Sequence, residues 1–435
     1  MKRYEAAVDI GATSGRLLLS SLSEEGKRSL EEVHRFKTPL VDDGDGHCHW
    51  DAAALFAEIL TGLKKCHELG KEPYLLGIDS FGVDYALLDE NDCLIGDVVS
   101  YRDARTSGVK ERFSTPERLF ELTGIQPMEF NSVYQLFLDK ESGKLEKAKG
   151  LLFFPCYLAY LLTGNKVNEL SIASTSGLLV PGGASFSKEI LSELGLAPSF
   201  FYEVVGAGSP IGHLKEEVKE AIGFDLEVRA ALSHDTAAAF LGSLAKEGEI
   251  LISSGTWSLI GVLTHEPCLS KEAFEKGFSN ELSHPGEVRF LKNISGMWMA
   301  NRLKAEILPD EPITKAVELA RMSSYAGHFD PTASELMNPV TMKEALDLLL
   351  TRGGYPLPKT PGDYFKAVYV SLAKEYARSA KELARLTAFS PRGVRIFGGG
   401  SKNLYLNELT AVETGLPVFT GPSEATGLGN ILSIL

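Results

Sequence analysis

A strand, a glycine-containing turn and a second strand occur twice in this chain, and the recurrence limits the possible folds more than any other feature. AAVDIGATSGRLLLS, residues 6–20, and EILISSGTWSLIGVL, residues 249–263, align with Gly11 opposite Gly255. A second pair follows in the same order. LEVRAALSHDTAAAFLG from Leu226 aligns without gaps to LPVFTGPSEATGLGNIL from Leu416, setting Val228 against Val418, Ser233 against Ser423 and Thr236 against Thr426. A unit that opens on a hairpin and is present in two copies predicts two similar domains. The boundary is expected near Gly242–Gly248, giving domains 1–244 and 245–435. Length agrees, because 435 residues exceed what a single core usually holds.

Apolar runs at Ala6–Asp9, Leu75–Asp79, Ala86–Asp89, Ile250–Ser253 and Val394–Phe397 read as strands. Helical spacing of apolar residues marks Ala52–Cys66, Pro116–Leu122 and Tyr364–Leu386. Strands interspersed with helices define an α/β chain. With 44 basic against 58 acidic residues the net charge is −14, which argues against nucleic-acid and anionic-membrane partners, whose phosphates need clustered cations. Five scattered cysteines without CxxC spacing make a disulfide framework improbable and fit a reducing cytoplasm. Asp9 interrupts the first apolar run before it forms a signal segment. The expectation is a cytoplasmic protein, monomeric or homodimeric.

The first hairpin carries Asp9-Ile-Gly-Ala-Thr-Ser-Gly-Arg16. A phosphate needs converging backbone N–H donors, here those of Ala12 to Gly15, and no obstructing side chains, which Gly11 and Gly15 permit. Thr13 and Ser14 add hydroxyls, Arg16 adds a charge-assisted contact, and Asp9 is placed to hold Mg²⁺ through its water shell. A plain hairpin turn is the competing reading. The second hairpin offers Ser253, Ser254 and Thr256 around Gly255. Gly398, Gly399 and Gly400 follow a strand and precede a helix, where a flat group such as adenine approaches the backbone closely. No GxxxxGK[ST] occurs, and no GxGxxG stands between strand and helix, so neither a P-loop nor a dinucleotide fold is indicated. Paired hairpins with a triple glycine point to an α/β architecture of two similar actin-like (ribonuclease H-like) domains, with an ATP cleft between them.

The strings VDIGATSGR, GIDSFGVDYALLD, YRDARTSG, TGIQPMEFNSVYQL, SHDTAAA, SSGTWSL, LKNISGMW and GGGSKNLYLNELTAVETGLPV, spread from residue 8 to the C-terminal region, resemble the FGGY carbohydrate kinase family. That resemblance implies transfer of the γ-phosphoryl of MgATP to a sugar hydroxyl. SHDT with SSGTWSL, and GIDSFGVD, favour the branch that converts L-rhamnulose to L-rhamnulose 1-phosphate. The family pattern also implies a sugar pocket of Gly82, His234, Asp235, Thr236 and Asn293. It places Asn301 near the nucleotide, where a longer amide is the usual residue. Relatives continue past the GLGNI string for some tens of residues, a departure expected to touch stability or assembly rather than chemistry.

Asp235, in Ser233-His-Asp-Thr236, is the candidate base. The phosphoryl transition state is loose, so a carboxylate accepts the hydroxyl proton late and an ordinary acidity suffices. The same four residues also read as a helix cap. The repeat separates the two roles: the second copy keeps Ser423 and Thr426 but has Ala425 in the acid's place, so starting a helix does not require it. Asp84 is a secondary candidate for a hydroxyl contact. Arg102-Asp-Ala-Arg105 reads as a structural charge cluster, His47-Cys-His49 as loop rather than metal site, and Trp257 and Trp298 as packing residues. Kinases for L-fuculose or D-xylulose are the alternatives within the family. A catalytically silent sugar sensor or actin-like protein is the alternative outside it.

Overall fold

A strand covered on both faces is buried at every position, and Glu5 to Ile10 of β1 (Tyr4–Ile10) are all buried, the charged Glu5 and Asp9 included. The structure, a computed structural model that describes residues 3–23, 26–336 and 339–435, sets β1 in the middle of its sheet. The chain turns at Gly11 into β2 (Ser14–Leu22), antiparallel to β1 with Asp9 opposite Arg16, and β2 pairs with β3 (Arg28–Lys37). On its other side β1 runs parallel to β4 (Pro73–Ser80), with Asp9 beside Asp79. β5 (Pro210–His213) and β6 (Glu227–Arg229) complete the order β5-β6-β4-β1-β2-β3. Helix α1 (Ala52–Glu68) begins where the Asp51 side chain accepts from the Ala54 N–H at 2.9 Å. Its Leu55, Ile59 and Leu63 share one core with Val8, Ile10 and Leu17.

The second copy repeats the plan. β7 (Glu249–Ser254) and β8 (Trp257–Thr264) form an antiparallel hairpin with Ser254 opposite Ser258. β9 (Val288–Ser295) lies beside β8, while β10 (Gly393–Phe397) runs parallel to β7 and β11 (Val418–Thr420) parallel to β10. The orders β3-β2-β1-β4-β6 and β9-β8-β7-β10-β11 match strand for strand. The helices that follow also match: α2 (Asp235–Gly242) starts at Asp235 and the last helix of the chain, Ala425–Ser433, at Ala425, the two positions aligned in sequence.

The chain forms two compact units. One holds the chain up to Gly242, Leu263–Arg289 and Thr426–Leu435; the other holds Ser243–Val262 and Phe290–Ala425. They interleave where the sequence suggested one boundary at 244/245. The reason lies in close packing of the last helix within the first unit. A Cβ on Gly427 would lie 2.1 Å from Leu18 Cδ1, and one on Gly429 1.7 Å from the Ala238 carbonyl oxygen. Only glycine permits that approach. Among the described residues no helix is long and apolar enough to cross a membrane.

Candidate active site

In the first unit the turn before α2 is pinned by several donors. The Ser80 N–H donates to the Ser233 carbonyl at 2.9 Å, and the Leu232 N–H to Ser433 Oγ at 2.9 Å. The Ser233 N–H reaches Glu169 Oε2 at 3.1 Å, and the His234 N–H reaches Ser171 Oγ at 3.2 Å. Glu169 is wholly buried, and burial pushes its carboxyl up to about 7 against the pull of these N–H and hydroxyl donors. So held, the turn delivers Asp235 as the first residue of α2, its side chain about one-third exposed.

Asp235 Oδ1 accepts from Thr236 Oγ1 at 3.1 Å and stands 3.4 Å from His234 Nε2. Burial raises its carboxyl above the ordinary aspartate range; His234 opposes the shift, Asp9 adds to it, and Thr236 opposes it again. The acidity is therefore weaker than the ordinary value that sequence reasoning assumed. A proton acceptor with a higher pKa takes its proton more readily. His234 and Thr236 are buried.

Gly82 faces the same ground. A Cβ there would come within 3.1 Å of Thr175 Oγ1 and 3.4 Å of His234 Nε2. Its neighbour Val83 has φ +71°, a conformation that costs a β-branched residue about 1–3 kcal/mol. Thr175 Oγ1 accepts from the Val83 N–H at 3.2 Å, and Ser132 Oγ donates to the Val83 carbonyl at 2.5 Å, holding the strained peptide. Thr175 and Glu169 were missed in the sequence because nothing local marks them.

Arg16 lies beside Asp9 instead of projecting alone: Nε and Nη2 donate to Asp9 Oδ2 at 3.0 and 2.8 Å. Ala12 and Ser14 are half-buried and Thr13 is exposed at the hairpin tip. Gly15 is buried, and a Cβ there would lie 2.3 Å from the Phe36 ring, so packing alone accounts for that glycine. Asp79, beside Asp9 on β4, is fully buried and holds its proton well above the ordinary range, through burial first and then the charge of Asp9.

In the second unit Thr256 and Trp257 are exposed at the tip of the β7–β8 hairpin, so Trp257, 39% exposed, is not a packing residue. Trp298 is one, its Nε1 donating to the Leu336 carbonyl at 3.3 Å. Gly398 adopts φ +79°, and a Cβ on it would sit 3.0 Å from the Ser254 carbonyl; a Cβ on Gly400 would sit 2.1 Å from Ser254 Oγ. Those two glycines let the turn pack on the hairpin. Gly399 is exposed, with nothing within 4 Å of a Cβ. Asn293 is exposed on β9, and Asn301 is exposed on the helix Trp298–Ile307.

Other sequence candidates fall away from this chemistry. Asp84 is buried and fully engaged, accepting from Trp50 Nε1 at 2.7 Å, the Tyr101 N–H at 3.0 Å and Gln135 Nε2 at 3.1 Å. It is a structural acid, not a hydroxyl contact. Arg105 binds Asp139 at 2.6 Å, as a structural cluster would. His47 lies in a strand, His47–Trp50, rather than a loop.

Two sheets of one strand plan, each opening on a small-residue hairpin, with a helix-start carboxylate in one copy alone, define a phosphotransferase of the sugar-kinase type. Residues 4–242 match the N-terminal domain of the FGGY family of carbohydrate kinases, and residues 250–433 match its C-terminal domain. The chain belongs to that family. It is a carbohydrate kinase that phosphorylates a sugar with ATP. A rhamnulokinase of Halalkalibacterium halodurans is 39% identical, over 99% of this chain and 92% of the relative. One of Oceanobacillus iheyensis is 38% identical, over 99% and 93%. Among solved structures, a gluconate kinase of Lactobacillus acidophilus has the same fold at TM-score 0.85 and 15% identity, covering 100% of this chain and 89% of that one. A xylulose kinase from the same organism follows at TM-score 0.84 and 15% identity, covering 99% and 89%.

Proposed function

We propose that the chain transfers the γ-phosphoryl group of MgATP, in line, to L-rhamnulose, forming L-rhamnulose 1-phosphate, with Asp235 as the base. The observation that carries this reading is the placement of Asp235 at the first turn of α2, with His234 Nε2 3.4 Å from its Oδ1 and half-buried Gly82 on the same side of that ring. Phosphoryl transfer asks the protein chiefly to position and to stabilise charge. His234, Thr236 and Asn293 orient the ketose hydroxyls. Gly82 leaves room for the sugar. Asp235 accepts the proton of the attacking hydroxyl, and the N-terminal end of α2 favours the negative charge that gathers there.

Ala12, Thr13, Ser14, Gly15 and Arg16 are assigned to the nucleotide phosphates, and Thr256, Asn301 and Gly398–Gly400 to the rest of the nucleotide. Of the three glycines only Gly399 has the open surface that such a contact needs. Mg²⁺ needs hard oxygen donors and keeps most of its waters. Asp9 supplies a carboxylate of that kind, although Arg16 occupies its Oδ2. When bound, the ion neutralises phosphate charge.

An ADP-release assay across L-rhamnulose, L-fuculose and D-xylulose tests the substrate. The expected kcat/KM for L-rhamnulose is at least about tenfold above the others, the discrimination that a few positioned hydrogen bonds give. A higher value for another ketose would replace the substrate but keep the chemistry.

A further inference from the structure

Behind His234, on the side away from Asp235, lies an ion pair that the reaction does not touch. Arg289 is 0% exposed, and its Nη2 stands 3.0 Å from Glu281 Oε2. The same Nη2 donates to the Leu282 carbonyl at 3.2 Å and lies 3.2 Å from His234 Nδ1. Glu281 Oε2 is 3.3 Å from that Nδ1. Arg289 Nε and Nη1 have no hydrogen-bond partner among the described residues, although both are buried. Burying a guanidinium with unmet donors is costly, and hydrophobic replacements often serve stability better. Stability alone therefore gives a weak account of this arginine.

Chemistry gives a better one. A guanidinium is donor-only, so its 3.2 Å contact needs His234 Nδ1 to accept, whereas the Glu281 carboxylate, 3.3 Å from the same nitrogen, would need it to donate; with Glu281 paired to Arg289 at 3.0 Å, the shorter Arg289 contact sets the tautomer. The ring proton then resides on Nε2, which lies toward Gly82 and Asp235. We propose that Arg289, held by Glu281, is a positioning residue for sugar recognition: it fixes the orientation and tautomer of His234 so that Nε2–H is presented as a donor to a ketose oxygen. Glu281 balances the buried charge, and the Arg289 guanidinium also rests 6.0 Å from the Phe240 ring of α2, the helix that begins with Asp235. The inference rests on the proposed sugar pocket.

A double-mutant cycle on the full chain tests it, reading ketose KM, ATP KM and kcat for wild type, Arg289→Met, His234→Ala and the double variant. Methionine keeps much of the buried bulk. Loss of a positioned donor is expected to raise ketose KM about tenfold in Arg289→Met, with kcat and ATP KM changing less than about threefold. In the His234→Ala background the same substitution is expected to add nothing. An equal rise in both backgrounds would show that Arg289 acts through general packing, and the proposal would fall. No rise in the single variant would overturn it as well. An unchanged ketose KM in His234→Ala would remove the pocket assignment itself, and this inference with it, which sets the two failures apart. If Arg289→Met does not fold, as circular dichroism would show, Glu281→Gln enters the same cycle. It is isosteric and frees the guanidinium, and the same loss of effect without His234 is expected.

Discussion

Asn430 Nδ2 donates a 2.5 Å hydrogen bond to Asp79 Oδ2, across 351 residues of sequence. The bond fastens the last helix to the strand that runs beside Asp9. It is made in tight surroundings, since a Cβ on Gly77 would lie 2.3 Å from Asn430 Oδ1. Asp79 Oδ1 and Asn430 Oδ1 are buried without partners among the described residues, so neither side chain has a spare contact to fall back on.

Asn430→Ala is therefore expected to cost about 1–3 kcal/mol, the penalty of stranding a buried polar partner. Urea unfolding measures it. Faster amide exchange across Ala425–Ser433 should accompany the loss. An unchanged midpoint would show that the carboxyl is satisfied some other way.

Asp84 gives stability a pH dependence. Burial pushes its carboxyl up to about 7, despite the donors of Trp50, Tyr101 and Gln135. The folded pKa lies above that of the unfolded chain, about 4 for a free aspartate. The folded state thus keeps its proton to higher pH, and this contribution is fully present below pH ~4 and lost as pH rises through about 7. Wild-type stability should fall between about pH 5 and about pH 8. Asp84→Asn should flatten that fall, Glu169 still contributing a slope of the same sign. Asparagine also turns a donor toward Gln135 Nε2, so an overall loss of about 1–3 kcal/mol is expected. Identical pH slopes for wild type and variant would contradict the assignment.

The triple glycine divides by position. Gly400→Ala forces a Cβ to 2.1 Å from Ser254 Oγ, so a lower melting temperature is expected. Gly399→Ala meets nothing within 4 Å and should leave melting unchanged. In the proposed nucleotide site a bulkier Gly399→Leu should raise the KM for ATP with little effect on stability. If ATP KM does not move, Gly399 does not face the nucleotide.

What the sequence disclosed, and what it hid, follows from the range of the interactions. Periodicity marks β1, β4, β7 and β10, and the alignment of Asp235 with Ala425 foretells two helices that start at those residues. These are local or repeated patterns. Gly15 and Gly400 were read for their spacing as phosphate or adenine clearances. Their actual constraints are Phe36 and Ser254, neighbours that spacing does not reveal. Asp79 is read from the sequence only as the end of the strand Leu75–Asp79, and its partner Asn430 is 351 residues away. Glu169, Thr175, Glu281 and Arg289 carry no local signal, because each acts on Val83 or the Ser233–Asp235 turn from a distant part of the chain.

Asp235→Asn, followed by rapid-quench measurement of a single turnover with labelled ATP and saturating ketose, is the most direct test of the base. A missing proton acceptor is expected to slow transfer by about 10²- to 10⁴-fold, while the ATP Kd stays within about twofold. Transfer at the wild-type rate would mean that the hydroxyl proton leaves by another route, and that the carboxylate at the head of α2 serves the fold alone.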